Sequence, residues 1–180
     1  GNRSATTSVY VPPAQGEVDP ANPVLLDAGA TWSYRAQTSA APENWAQASF
    51  DDSQWSTGAA PLGYGDSRIA TVLASNITRP VTSYFRSHFQ VSDARALKGV
   101  TVKYLADDGA VVYVNGTEVD RTRIDAGPVS YTTRANAAPS YTAASNSVSE
   151  VFVPAALLTS GDNVIAVETH VNYTRSATLG

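Results

Sequence analysis

In the stretch LADDGAVVYVNGTEV, Leu105 to Val119, apolar residues occupy both parities from Ala110 to Val114. A strand patterned this way has both faces buried, as in the middle of a sheet packed against a second layer. Asn115-Gly116 follows. It is the pair best suited to a two-residue type I′ turn, whose central positions both need positive φ, so Thr117 to Val119 begins the return strand. Upstream, Asp107-Asp108-Gly109 marks a corner after the strand Val100 to Leu105, because Asp bonds nearby amides and Gly tolerates left-handed φ.

Elsewhere the pattern has period two. Ser83 to Val91 sets Ser83, Phe85, Ser87, Phe89 and Val91 on one side and Tyr84, Arg86, His88 and Gln90 on the other, which predicts a strand with one core face and one polar face. Val164 to Asn172 alternates likewise, with Ile165, Val167, Thr169 and Val171 opposite Ala166, Glu168, His170 and Asn172. Val24 to Leu26, Thr31 to Arg35 and Val148 to Val153 read as further strands, and Pro154 to Leu158 as one helical turn. Pro42 to Trp55 is the one early stretch with helical spacing, enough for one or two turns. Gly58 to Asp66 is too rich in Gly and Pro for a regular element, and Arg68 to Thr82 reads as irregular. Arg121 to Ser147 is a long Ala, Ser, Thr, Asn and Pro segment with Tyr131 and Tyr141 as its large anchors, and a loop of that length is functional or poorly ordered. About seven or eight strands, no βαβ rhythm and no internal repeat together predict an all-β fold, an antiparallel β-sandwich of jelly-roll type with one or two short helical turns.

At 180 residues the chain suits one domain with a tail. Residues 1–23, with Pro12, Pro13, Pro20 and Pro23 among small polar residues, read as a linker in which Ser8 to Val11 offers an edge strand; 24–180 is the sandwich domain. Net charge is −4 and the lysines are Lys98 and Lys103 alone, so there is no basic stripe to neutralise phosphates, and nucleic acid is excluded as a partner. No apolar run approaches the roughly 18–20 residues of a membrane span. Cysteine is absent, which removes disulfides, thiolate nucleophiles and Cys-ligated zinc. Methionine is absent too, which reads as a processed or excised chain, and the Ala, Thr, Ser and Gly richness suits a secreted or cell-surface bacterial protein.

The ordered set FDDSQW (Phe50 to Trp55), APLGYGD (Ala60 to Asp66), SYFRSHFQV (Ser83 to Val91), DDGAVVYVNGTEV (Asp107 to Val119) and GDNVIAVETH (Gly161 to His170) resembles the galactose-binding-like jelly-roll modules of large secreted bacterial proteins, among them metallophosphoesterases, spore-coat-kinase-like proteins and surface proteins with lamin-tail domains. The FDDS-x-W and VYVNG-x-x-V elements are also similar to the sugar-binding-type jelly roll at the front of β-galactosidase-like hydrolases, where they are structural. The resemblance implies a non-catalytic accessory module that binds a polysaccharide or cell-surface glycan, or one that serves as a spacer or docks neighbouring domains of its parent chain. Such modules usually add a final strand of type FDLxL after the segment matching Asn172 to Leu179, where this chain stops at Gly180. The expectation is a chain cut before that strand, or an edge left open and filled by Ser8 to Val11 or by a neighbour's arm.

In the resembling modules the strands carrying Tyr84, Arg86 and His88 and those carrying Glu168, His170 and Asn172 are neighbours. Paired here, they form a candidate ligand-binding face, with Arg86 bonded to Glu168 beside both imidazoles of the chain and a Tyr, suited to sugar hydroxyls. The plainer reading makes the Arg86 and Glu168 pair structural, on a face that meets solvent or a partner domain. Catalytic residues are not expected: no G-x-S-x-G elbow occurs, and His170 with Glu168 falls short of a zinc ligand set. Calcium is the ion that Asp51, Asp52, Asp66, Asp107 and Asp108 would suit as loop oxygens, although the capping of turns and amides is the favoured reading of them. Trp32, Trp45 and Trp55 fit core or end-plug positions, Trp55 above all, while among Tyr64, Tyr131 and Tyr141 at least one is expected on the surface.

Overall fold

A computed structural model of the chain describes residues 23–64, 67–73, 79–140 and 147–173. Ten strands are present among them: β1 (Thr31–Arg35), β2 (Ser56–Ala59), β3 (Leu62–Gly63), β4 (Thr71–Val72), β5 (Thr82–Val91), β6 (Gly99–Tyr104), β7 (Gly109–Val114), β8 (Thr117–Thr122), β9 (Ser149–Pro154) and β10 (Gly161–His170). Two single 3₁₀ turns, Ala94–Ala96 and Ala155–Leu157, complete the regular structure, the first capped by Asp93 accepting from the Arg95 amide. The main sheet runs β2-β1-β5-β10-β7-β8, every pairing antiparallel, and β6 with β9 forms a separate antiparallel pair. A short parallel contact joins β3 to β4. This is the all-β sandwich that the alternation of apolar positions predicts.

The core lies between the two sheets. Trp32, Phe85, Phe89, Val112, Val114, Ile165 and Val167 of the main sheet meet Val102, Tyr104 and Val153 of the small one. Val112 and Val111, on opposite faces of β7, are both fully buried, as a run of apolar residues on both parities requires. The hairpin closes as the Asn-Gly pair dictates, with φ of 49° at Asn115 and 84° at Gly116. The Asn115 side chain does more than turn. Its Nδ2 donates to the Leu157 carbonyl and to Asn163 Oδ1, and its Oδ1 accepts from the Val164 amide, tying the hairpin to β10.

Several expectations are corrected. Val24 to Leu26 is not a strand: the chain turns at once, with the Ala30 amide on the Asp27 carbonyl, and Leu25 and Leu26 instead lean on the core. Pro42 to Trp55 contains no helix but a series of i→i+3 turns, with amides of Trp45, Gln47, Phe50 and Trp55 on carbonyls of Pro42, Asn44, Gln47 and Asp52. The Gly58 to Asp66 stretch holds the end of β2 and all of β3, and Thr71 and Val72 form β4 in the stretch read as irregular. β2 tolerates Gly58 because Thr71 needs the room: a Cβ there would lie 2.4 Å from Thr71 Cγ2. Ser8 to Val11, Asp66, Tyr141 and residues 174–180 lie outside the described residues.

The largest difference concerns the outer face of the main sheet. β5 does not show a polar face along its whole length; Thr82 to Ser87 are buried on both sides, and only His88 and Gln90 emerge. Two segments without strand periodicity cover that face. Trp45 and Ala46 pack on Tyr84, Val164 and Ala166, joined by Ala41, Trp55, Tyr113 and Tyr131. Ile124 and Ala135 pack on Val111.

Candidate functional site

The predicted neighbours are neighbours: β5 and β10 pair in antiparallel register, with Tyr84 opposite Glu168 and Arg86 opposite Ala166. Arg86 and Glu168, however, do not bond to each other. Arg86 is fully buried, and its Nε donates to Asp52 Oδ2 at 2.9 Å while its guanidinium also donates to the carbonyls of Trp45, Gln47 and Phe50. One side chain thus collects backbone acceptors that a helix over Pro42 to Trp55 would have used internally. Phe50 lies under the guanidinium, 5.1 Å from ring centroid to Cζ, so FDDS-x-W works here as an arginine socket.

Tyr84 stands edge-on to Trp45, centroids 4.9 Å apart, and Trp45 meets Tyr113 at 5.5 Å and Trp55 at 6.5 Å. Trp32 is the most enclosed tryptophan, at 1% exposure, whereas Trp55 is only half-buried. Burial chiefly pushes the Tyr84 phenol up to about 12, against the hydrogen bond it makes to the Ala41 backbone; Glu168 and Tyr131 add to the rise and Arg35 opposes it. Tyr113 is pushed further in the same direction, first by burial and then by the hydrogen bond to Glu168. Its hydroxyl donates to Glu168 Oε1 at 2.6 Å, and Glu168 Oε2 lies 3.4 Å from His170 Nε2.

His170 is 1% exposed, with Nδ1 2.9 Å from the Thr133 carbonyl and 3.0 Å from Thr82 Oγ1. Thr82 in turn donates to the Tyr131 carbonyl at 2.7 Å. Asn172 gives its backbone amide to Asp108 Oδ2 and its side-chain amide to the Ala135 carbonyl. Burial is also the main cause that raises the Asp108 carboxyl, opposed by the Asn172 amide and Arg123. Of the six predicted residues, His88 alone is well exposed, Nδ1 2.7 Å from Asp162 Oδ2 and Nε2 3.9 Å from Asp52, beside Gln90, which donates to Asp162 Oδ1. Tyr64 is buried and Tyr131 half-buried.

Of the aspartates suited to calcium, the four that are described, Asp51, Asp52, Asp107 and Asp108, each accept a donor of their own chain. Asp51 takes the Ser53 amide, which lowers its carboxyl below the usual range, Asp52 holds Arg86, and Asp107 takes the Asp108 amide. Among the described residues no group of three or more His, Cys, Asp or Glu is placed to hold a metal ion. No helix among them is long and apolar enough to cross a membrane.

Sequence reasoning missed Tyr113, Thr82, Thr133 and Phe152. Tyr113 was legible as the one hydroxyl in an otherwise apolar strand, but Thr133 acts through its carbonyl, which no side-chain pattern reveals. Phe152 lies outward on β9, 57% exposed, and pairs across to Thr101. Beside it Lys103 and Glu150 form an ion pair at 3.2 Å. Its ring reaches over Gly99, where a Cβ would lie 2.5 Å from Phe152 Cζ.

No family model matches the chain, and no curated protein does. Solved structures do. A β-glucuronidase of glycoside hydrolase family 2 aligns at a TM-score of 0.52 and 15% identity over 94% of this chain and 14% of its own. A Bacteroides uniformis β-glucuronidase gives 0.51 and 16% over 79% and 14%, and a Bifidobacterium dentium β-glucuronidase complexed with coumarin-3-O-glucuronide gives 0.50 and 16% over 82% and 20%. At these identities the likeness is one of fold, a β-sandwich, and the chain spans no more than a fifth of the length of those proteins.

Proposed function

We propose that this chain is a non-catalytic accessory module of a secreted, glycan-processing bacterial protein, related to the galactose-binding-like jelly rolls, and that it meets carbohydrate on the outer face of the small sheet. What supports an accessory role is scale: a fold that accounts for most of this chain accounts for 14% of a family 2 glycoside hydrolase. What carries the placement is Phe152. An aromatic ring resting on a glycine, open on its far side and flanked by the Thr101 hydroxyl and the Lys103 and Glu150 charges, offers an apolar face for a pyranose with hydrogen-bonding groups at its edge. Tyr84, Arg86, Glu168 and His170 then serve inside the molecule, Asn172 is half-buried, and His88 with Gln90 and Asp162 is the well-exposed part of the predicted face.

Affinity electrophoresis against a panel of polysaccharides tests this: Phe152→Ala should weaken retardation by about tenfold, whereas Arg86→Lys should act only through stability. A panel that is blank for the native chain at high protein concentration would reject the reading. A second reading rests on the same face. Val148, Phe152 and Pro154 are exposed on that face around the Lys103–Glu150 ion pair, a mixed apolar and charged surface that would suit docking against a neighbouring domain of the parent chain; it predicts silence toward glycans and loss of domain association in Phe152→Ala.

A further inference from the structure

We infer that Asn115 is the deamidation site of this chain, that the native fold keeps it from reacting, and that its product no longer fits the junction between the hairpin and β10. Carbohydrate binding at Phe152 plays no part in this. Asn115 is the one asparagine of the chain that glycine follows. With no side chain on the next residue to obstruct it, the Gly116 nitrogen can reach the Asn115 Cγ in an open chain. That nitrogen loses its proton and bonds to Cγ, the Cγ–Nδ2 bond breaks, and Nδ2 takes up the proton and departs as ammonia. Water then opens the five-membered imide at one carbonyl or the other, leaving an aspartate or an isoaspartate at position 115.

In the fold that ring cannot close. Both hydrogens of Nδ2 are committed, to the Leu157 carbonyl at 2.9 Å and to Asn163 Oδ1 at 2.8 Å, and Oδ1 accepts from the Val164 amide at 2.9 Å. The Asn115 backbone amide is itself held by the Val164 carbonyl at 2.9 Å. These bonds hold Cγ against β10, and bringing it onto the Gly116 nitrogen breaks the three side-chain bonds together. Gln47 lies over the other half of the turn, where a Cβ on Gly116 would sit 2.4 Å from Gln47 Cδ. The partners that guard the amide also refuse its product. Asn163 is fully buried and cannot turn its own amide round, because its Nδ2 donates to the Thr159 and Gly161 carbonyls while its Oδ1 accepts from the Thr159 amide. An aspartate at position 115 would therefore set a carboxylate oxygen against two fixed acceptors, and an isoaspartate would lengthen a two-residue turn by one backbone carbon. A chain that reacts while the junction is open does not close it again in the native form.

The test compares the intact chain in mildly alkaline buffer with the same chain held unfolded by urea at the same pH. Peptide mapping by mass spectrometry, with isoaspartate separated chromatographically, reads the modification at position 115. The native chain should deamidate there at least about a hundredfold more slowly than the unfolded one. A smaller ratio would overturn the shielding. The second readout is Asn115→Asp, which places the product carboxylate in the turn. Its urea midpoint should lie below that of the native chain at neutral pH, and the deficit should shrink below about pH 4, where a protonated carboxyl can again donate to one of the two acceptors. A variant as stable as the native chain at neutral pH, or a deficit that does not change with pH, would overturn the misfit. If that variant does not fold, chains half modified in urea and returned to buffer give the same answer: modified molecules should be depleted at least about tenfold from the folded fraction. Equal proportions in the folded and unfolded fractions would overturn it.

Discussion

At the scale of single residues, the decisive quantity is how many acceptors one donor satisfies. Arg86 serves a carboxylate and three carbonyls, so Arg86→Met would leave buried carbonyls without partners and should cost at least about 3 kcal/mol. Urea unfolding measures this, and a loss below about 1 kcal/mol would show the socket to be dispensable. Tyr113→Phe removes the donor to Glu168 Oε1 and should cost about 1–3 kcal/mol. The buried phenols also set a pH limit. Tyr84 ionises near its ordinary value of about 10 in the unfolded chain but only near about 12 in the folded one, so between these values the native state binds more protons and stability falls as pH rises. Urea midpoints should be unaffected by this group below about pH 10 and decline above it.

For elements, the hairpin gives the sharpest test. Asn115→Gly keeps a residue at ease with positive φ and deletes only the amide that ties the turn to Leu157, Asn163 and Val164; it should cost about 1–3 kcal/mol. If unfolding is unchanged, φ was all the position required. The hairpin and β10 were legible because their apolar residues repeat with the strand period and turn residues bound them. The outer face of β5 was misread for a physical reason: what covers Arg86 and Tyr84 is segments 41–55 and 124–135, whose contribution is largely carbonyls and a few dispersed aromatics. Alternation reports whether a side chain is polar, and Arg86, Glu168 and His170 are polar, but it cannot report that loop backbone will be brought to meet them. The candidate face was therefore legible as a set of neighbours and illegible as an interior.

For the whole molecule, covering the outer face means that, among the described residues, the small sheet and the rim at His88 are the sheet surfaces left open as meeting places. Phe152→Ala should alter stability by no more than about 0.5 kcal/mol, which makes it a clean probe of binding. Since Asp51, Asp52, Asp107 and Asp108 are engaged with donors of their own chain, chelation with EDTA should move Tm by less than about 2 °C; a larger fall would identify a calcium site.

The order of strands across the main sheet carries one more consequence. β10, the last of the described strands in chain order, is inserted between β5 and β7, which are synthesised long before it. Until it arrives, Phe85, Val112 and their neighbours have no partner to close against, so the nascent chain must wait with two adhesive edges bare. A polypeptide halted just before Gly161 should accordingly remain a client of chaperones, while extension through β10 lets the main sheet close.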